Sequence, residues 1–327
     1  MALRPELETR CRFHTLLIGL ILFLCPAFAA RGETIHVSYA GQSGFNVQVW
    51  FTKEAGLFKK YGIDTDLILI SGGAPNIQAL LAGQLQFVNA AGTLPVLASL
   101  QGADVVILAT SYNLMPFSFV VNENVRSPAD LKGKTVSVAR LGGINEVAVR
   151  LALEALGLSA NDMTLLQGGP DAQRIMGLKS GQVAATVFAP PALFVATSLG
   201  LKVMADPSSL GMKYPASVIV ARRSYIAQNK SLTKRFLMAF MEGLSGYKKR
   251  RDLAIRVTEK YSNIRQQDQL AKTYEYYARY TLSIPFSDAA SVYNGAPEIR
   301  ARGRKAEEFF DNTLIQEIID DGFMAGK

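Results

Sequence analysis

Apolar and polar positions follow two rhythms along this chain, one of period two and one near 3.6, and their alternation predicts an α/β protein. Residues 35–39 read as a strand ahead of a glycine-rich turn. Val47, Trp50, Phe51, Glu54 and Phe58 fall near helical spacing and predict a helix over 46–61, closed by Gly62. Residues 66–70 end in a continuous apolar run, as expected of a strand covered on both faces. Ser71-Gly72-Gly73 then turns into a helix led by Pro75 and ended by Gly83. Strands are expected at 86–89, 105–109 and 117–121. After a short helical turn at Ser127-Pro128-Ala129-Asp130 the rhythm starts again, with strands at 135–139, 163–166, 183–188, 201–205 and 216–220. Helices at 145–156, 171–179 and 191–198 separate them, the first stopped by Gly157. Beyond Arg222 the pattern turns almost wholly helical, at 231–249, 253–261, 266–280 and 302–320. In the last of these Ala306, Phe309, Phe310, Leu314, Ile318 and Ile319 define an amphipathic packing face.

The same pattern occurs twice. Val37-Ser38-Tyr39-Ala40 with Gly44-Phe45-Asn46 recurs as Val136-Ser137-Val138-Ala139 with Gly143-Ile144-Asn145, at a constant offset of 99 residues. Glu54-Ala55-Gly56-Leu57 is echoed by Glu154-Ala155-Leu156-Gly157-Leu158, and Gly72-Gly73 with Gly83-Gln84 by Gly168-Gly169 with Gly181-Gln182. Self-similarity at this scale governs the fold class. The plain alternative is that any two βαβ units look alike. Strands alternating with helices imply a doubly wound, mostly parallel sheet in each half. Strands 117–121 and 216–220 bracket the second unit and read as paired crossovers able to act as a hinge. The expected division is lobe I at 33–118 plus 217–327 and lobe II at 119–216, with residues 1–29 a signal peptide.

That leader has Arg4, Arg10 and Arg12, an apolar stretch over 16–24 and the cleavage-type Ala27-Phe28-Ala29. The stretch is short against the roughly 20 residues that span a bilayer. Cys25 raises a lipoprotein reading, but Leu24 stands where a small residue is wanted, so soluble export to a periplasm is the expectation and a retained anchor the alternative. Removal takes both cysteines and His14 with it. The remaining 298 residues then carry no thiol and a single histidine, His36, with Lys+Arg at 32, Asp+Glu at 25 and a net charge of +7. Such a balance is compatible with an anionic ligand and speaks to steering rather than fold. Export argues against a nucleic-acid partner, and the basic runs at 248–251 and 300–305 read as solvated helix ends.

Trp50 with Glu54-Ala55-Gly56-Leu57-Phe58-Lys59-Lys60-Tyr61-Gly62-Ile63 resembles the opening helix signature of a known family, and Gln78-Ala79-Leu80-Leu81-Ala82-Gly83-Gln84 with Phe87 resembles its second. Asp130-Leu131-Lys132-Gly133-Lys134-Thr135-Val136 is similar to the strand opening that family's second lobe. The family is the SsuA/TauA-like group of periplasmic substrate-binding proteins, whose members serve sulfonates, taurine, nitrate and thiamine-pyrimidine precursors. The resemblance covers about residues 34–225. It implies a type II two-lobed periplasmic-binding-protein fold with a helical C-terminal extension, and a monomeric solute receptor that closes on cargo and delivers it to an ABC permease and its ATPase. These motifs are structural, so they specify fold well and ligand poorly.

In such a fold the ligand lies beyond the carboxyl ends of the strands, where helix N-termini present amides with partial positive charge. That points to Ser43, Gly44, Phe45, Gly72, Gly73, Gly92 and Thr93 in one lobe and to Gly142, Gly143, Asn145 and Pro190 in the other. The glycines equally serve tight turns, and Asn46 and Asn145 equally serve as helix caps. Arg140 follows a strand and precedes a Gly-Gly turn, where a guanidinium can grip an anion through two hydrogen bonds; its alternatives are an interlobe salt bridge or plain surface charge. Tyr39, at the matching place after the first strand, is a candidate to stack on or hydrogen-bond a ligand. Phe45, Tyr112 and Trp50 are candidates for apolar wall, with core packing the alternative for Trp50. Phe188 leans to core, and His36 lies away from its strand's carboxyl end.

Related pyrimidine synthases carry a cysteine-rich motif and an active-site histidine that the exported chain lacks. H-E-x-x-H, G-x-S-x-G and Walker-type motifs are absent from the sequence, and metal sites of Cys and His are excluded by count. The expectation is a binding protein without catalysis, cofactor or metal, for a small organic anion such as an alkyl sulfonate, a heteroaromatic or aromatic acid being nearly as good. A sensory module for a membrane receptor is the other reading.

Overall fold

Central strands of an α/β sheet are covered on both faces, and three four-residue runs here are buried throughout. A computed structural model describes residues 33–207 and 211–323; the leader and its cleavage site lie outside them. Thr34–Lys327 is one contact unit and contains two five-stranded sheets. The first is built from β1 (Glu33–Tyr39), β2 (Ile63–Leu69), β3 (Phe87–Ala90), β4 (Val106–Leu114) and β10 (Lys213–Ala221), in the order β2-β1-β3-β10-β4. The second is built from β5 (Ser118–Val121), β6 (Thr135–Val138), β7 (Thr164–Gln167), β8 (Ala185–Phe188) and β9 (Lys202–Ala205), in the order β7-β6-β8-β5-β9. β3, β5 and β8 are buried at every residue, whereas edge strand β2 turns Asp64 and Asp66 to solvent.

The repeat in the sequence is a repeat in space. β1 runs parallel to β3 with Val37 opposite Phe87, and β6 runs parallel to β8 with Val136 opposite Ala185. Val37 and Val136, the first residues of the duplicated pattern, thus hold equivalent places beside β3 and β8. In each sheet the fourth strand is antiparallel to both neighbours: β10 to β3 and β4, and β5 to β8 and β9.

Those two antiparallel strands contain the expected crossovers, with a correction. Residues 117–121 and 216–220 do not pair with each other, because each enters the other half's sheet as its fourth strand. What runs side by side is the chain leading into them. Leu114 pairs with Lys213, the Met115 amide donates to the Met212 carbonyl at 3.1 Å, and Phe119 pairs with Ala205. The sheets are therefore joined by two adjacent connections.

Two expected helices are revised and three helices are added. The predicted 46–61 helix is split into Val47–Glu54 and Leu57–Lys60 by Gly56, whose φ of 72° no helix accommodates. Helix Thr93–Leu100, whose start the sequence marks at Gly92-Thr93 without giving it bounds, lies between β3 and β4, and Ala289–Gly295 and Glu298–Ala301 are additional. The expected 302–320 helix is instead a turn of 3₁₀ helix, Ala306–Phe309, and helix Thr313–Asp320. Between them Phe310 bridges Ile107 and the Asp311 amide donates to the Ile107 carbonyl at 2.8 Å, so β4 draws the chain out of the helix.

Helix Lys230–Lys249 covers the first sheet and drives its core. Phe236 stacks on Phe87 of β3 with ring centroids 3.9 Å apart and on Phe58 at 5.1 Å, all three rings being buried. Truncating the middle ring removes area and leaves a cavity that strand and helix backbones cannot refill. We expect Phe236→Ala to destabilise the protein by roughly 3–5 kcal/mol, read as a lower denaturant midpoint at unchanged slope.

Candidate functional site

Parallel strands followed by helices send every strand's carboxyl end, and every helix's amino end, to one edge of the sheet. In both halves that edge faces a cavity of about 610 Å³. Six helix or helical-turn starts reach it. They are Ser43 and Phe45 after β1, Gly72 and Gly73 after β2, Thr93 and Leu94 after β3, Gly143 to Asn145 after β6, Pro170 to Ala172 after β7, and Pro191 and Ala192 after β8. Phe117 and Tyr214 from the two connections line the middle, and Ser262, Asn263 and Ile264 come from the helical tail.

The two walls differ in chemistry. The first half contributes Phe45, Leu69 and Leu94, and Phe45 meets Phe117 edge-on at 5.8 Å. Its Thr93 hydroxyl is occupied, donating to the Gly295 carbonyl at 2.8 Å and standing 2.6 Å from the Tyr214 hydroxyl. Burial pushes the Tyr214 phenol up to about 12. All three charged lining residues, Arg140, Asp171 and Arg174, belong to the second half.

Arg140 is exposed, and its guanidinium makes no hydrogen bond or ion pair among the described residues. Its stem crosses the cavity to lie over Gly72. A Cβ on Gly72 would stand 2.7 Å from Arg140 Cδ, which a flexible exposed side chain can relieve, so it is the φ of 88° that demands glycine. Arg174 is the opposite case, a buried guanidinium held by the fold. It donates to the Gly169 carbonyl at 3.2 Å, the Thr186 hydroxyl at 2.9 Å, the Val187 carbonyl at 2.5 Å and the Asp171 carboxylate, and it lies 4.8 Å from the Phe188 ring centre. Burial pulls its pKa down and Asp171 opposes that. Its work is to fix the 169–171 loop and the Asp171 carboxylate at the cavity edge.

Part of the helix-terminus charge is already matched within the protein. Glu146 accepts the Gly142 amide at 2.8 Å and holds Arg150 at 2.6 Å. The Gly142 amide, and then Arg150, hold the Glu146 carboxyl below its ordinary range against the opposing effect of burial.

Of the residues singled out from sequence, Ser43, Phe45, Gly72, Gly73, Thr93, Arg140, Gly142, Gly143 and Asn145 line the cavity. The other six stand away from it. Trp50 is fully buried and stacked on Tyr261 at 5.0 Å, with Tyr39 edge-on at 5.5 Å. Tyr112 is buried against Tyr277 at 5.4 Å and its hydroxyl meets that of Tyr276 at 3.1 Å. Gly92 packs on Pro215 and donates to its carbonyl at 2.7 Å, Gly44 lies under the Tyr277 ring, and Pro190 stands one residue short of the lining Pro191. A strand end does not say which way its side chains point, because successive side chains alternate faces. Asn46 stands at the N-cap of helix Val47–Glu54 but makes no side-chain cap bond, its Nδ2 donating back to the Gly41 carbonyl at 2.8 Å, and Gly143, not Asn145, is the cap of the next half's helix.

Several lining residues were missed. Ser71 and Asp171 sit beside glycine pairs already noticed, so proximity to a strand end was their available signal. Asn263 and Ile264 had none, since they arrive from the helical tail after a left-handed turn at Asn263 with φ 59°. Among the described residues no group of three or more metal-ligating side chains gathers, and no helix is long and apolar enough to cross a membrane.

Two sheets of identical strand order, joined by adjacent connections and facing one cavity with their helix starts, define the two-lobed fold of periplasmic binding proteins. The family model described as NMT1/THI5 like matches residues 47–250, and the chain belongs to that family. A protein of Brucella abortus strain 2308, described as a candidate binding protein, is 27% identical over 234 residues, 69% of this chain and 71% of that protein. A solved structure from Bordetella bronchiseptica RB50 superposes with a TM-score of 0.78 at 16% identity, over 89% of this chain and 98% of the other. The periplasmic aliphatic sulphonate binding protein SsuA of Escherichia coli superposes with a TM-score of 0.68 at 19% identity, over 86% of this chain and 92% of its own.

The Glu146 cap sets a pH dependence with a defined sign. A carboxyl whose folded pKa is depressed contributes stability that is present above its unfolded value, near 4.3, and is lost as pH falls through the folded value. We expect Glu146→Ala to cost roughly 1 kcal/mol at neutral pH, as loss of a helix cap does. The difference should vanish once acid has protonated Glu146 in the parent, and denaturant titrations at several pH values read it.

Proposed function

We propose that the chain is the solute-binding component of an ABC import system, exported to the periplasm, which takes a small organic anion into the cavity and hands it to a permease and its ATPase. One observation carries this reading: a cavity of about 610 Å³ in which helix starts and an unpartnered guanidinium, Arg140, face apolar walls. Concave sites of this size, mostly apolar with few convergent polar groups, suit small molecules. Helix N-termini and a guanidinium both favour an anionic head group, and Phe45, Leu69, Leu94 and Ile264 suit an apolar body. Sulfonates and carboxylates meet both demands. A heteroaromatic acid meets them too, favoured by the Phe45–Phe117 edge pair.

In this reading the lobes are 33–118 plus 217–327 and 119–216, the protein works as a monomer, and closure turns about the two adjacent connections. It performs no catalysis. Family membership and fold support the receptor class, and the ligand class rests on the cavity's chemistry.

Native mass spectrometry of freshly purified protein, followed by melting-temperature screening of sulfonates, carboxylates and pyrimidines, tests the reading. A compound that binds only the folded form raises the midpoint. With such an anion in hand, Arg140→Ala should weaken its affinity about 10- to 100-fold, the worth of a charged hydrogen-bond partner, while the ligand-free midpoint stays nearly unchanged. No shift from any compound class, or conversion of the bound compound to product, would remove the receptor reading.

A further inference from the structure

Across one wall of the cavity the Pro190 carbonyl ties the two halves together. Pro190, in the segment after β8, accepts the Gly44 amide at 3.1 Å and the Tyr277 hydroxyl at 3.2 Å. Through that shared acceptor the amide that opens the first helical turn, the tail helix Gln267–Tyr280 and the second half meet in one hydrogen-bonded junction. Contact continues along the tail helix, where Gln269 Nε2 donates to Ser198 Oγ at 3.1 Å. The junction is built for close approach. A Cβ on Gly44 would run into the Tyr277 ring and stand 2.9 Å from the Pro190 oxygen. Tyr277 is fully buried, with its ring held edge-on by Tyr112 at 5.4 Å and Tyr276 at 5.0 Å, so the hydroxyl is aimed at its partner.

We propose that this junction is a latch, which draws the two halves together before ligand arrives and so sets the fraction of molecules ready to bind. The contact itself stands without the receptor reading; its effect on affinity rests on that reading. Turning the halves apart about the two adjacent connections moves Pro190 away from Gly44 and Tyr277. Water then replaces the lost partners, so each bond has a modest net effect, about fivefold in the ratio of closed to open molecules. Apparent affinity scales with the binding-competent fraction. The latch therefore acts on ligand binding without touching ligand, since neither Gly44, Tyr277 nor Pro190 lines the cavity. The lining neighbours Ser43, Phe45 and Pro191 move with it.

Two variants of the full exported protein separate a latch from plain packing. Tyr277→Phe keeps the ring and removes the hydroxyl, and Gly44→Ala wedges the junction. Hydrogen exchange and small-angle scattering on ligand-free samples provide readouts that need no ligand. The expected result is faster exchange in peptides covering 43–47 and 189–193 and a larger radius of gyration, with β3 and β6 keeping their protection. Tyr277→Phe should also lose about fivefold in affinity for whichever compound raises the parent's melting midpoint. Unchanged exchange and radius in Tyr277→Phe would overturn the proposal, as would protection lost evenly across both sheets. If Gly44→Ala fails to fold, Tyr277→Phe still decides the matter. If no compound binds the parent, the exchange and scattering results judge the latch and the failure falls on the receptor reading alone.

Discussion

A strand that must lie parallel to its neighbour returns through a helix, and this polarity dictates where chemistry can happen in the molecule. It sends strand ends and helix starts to one edge of each sheet. When two such sheets are joined through adjacent connections, the two edges face each other and leave a gap that neither half can fill from its own core. The cavity is a consequence of topology before any lining side chain is chosen. The buried runs of β3, β5 and β8 hold the sheets rigid, so the loops are carried on a fixed frame.

Equal topology did not produce equal chemistry. Ser38 and Ser137 occupy matching places in β1 and β6, and both are buried. The loops beyond them diverge. At the first helix start after the edge strand of the first half, Asn76 folds its amide back on the Ile70 carbonyl at 2.6 Å and on the Gly72 carbonyl. At the comparable place in the second half Arg174 anchors Asp171 and the 169–171 loop. One half thus presents apolar wall and small glycine-rich turns, while the other presents charge. Arg140 spans the gap and lies over Gly72.

Much of this was legible in the residues because glycine turns and apolar runs report backbone demands directly. Val37 and Val136 marked equivalent strands, and helix 171–179 was read with its observed bounds. Interruption of regular structure was less legible. The 306–320 face has good helical spacing, yet β4 pulls Phe310 and Asp311 into a bridge, a long-range pairing that no local spacing contains. Among site residues named for backbone position, Gly72 and Gly143 face the cavity while Gly44, Gly92 and Pro190 do not, and of those named for side-chain type Phe45 lines it. Tyr39, Trp50 and Tyr112, named for side-chain type, pack inside, because burial of a large ring against Tyr261 or Tyr277 outweighs a place near a strand end. Asn263 and Ile264 enter from a helix pair that shares no pattern with either repeat.

Polar groups around the cavity divide into those that hold the protein and those left for a guest, and that division bears on selectivity. The Gly44, Gly92 and Gly142 amides already have acceptors in Pro190, Pro215 and Glu146, and the Thr93 hydroxyl and most donors of Arg174 are engaged as well. A helix start whose amide is matched within the fold offers a guest its field but fewer direct bonds. A very small ion, which needs many donors at short range to replace its hydration, is poorly served by such a lining. A larger anion gains from burial of its apolar part against Phe45, Leu94 and Phe117, at about 25 cal/mol per Å² removed from water, and needs few direct bonds at its head. On the proposed reading, the Arg140 guanidinium, being unpartnered among the described residues, is the group placed to make that head contact without breaking any bond of the fold.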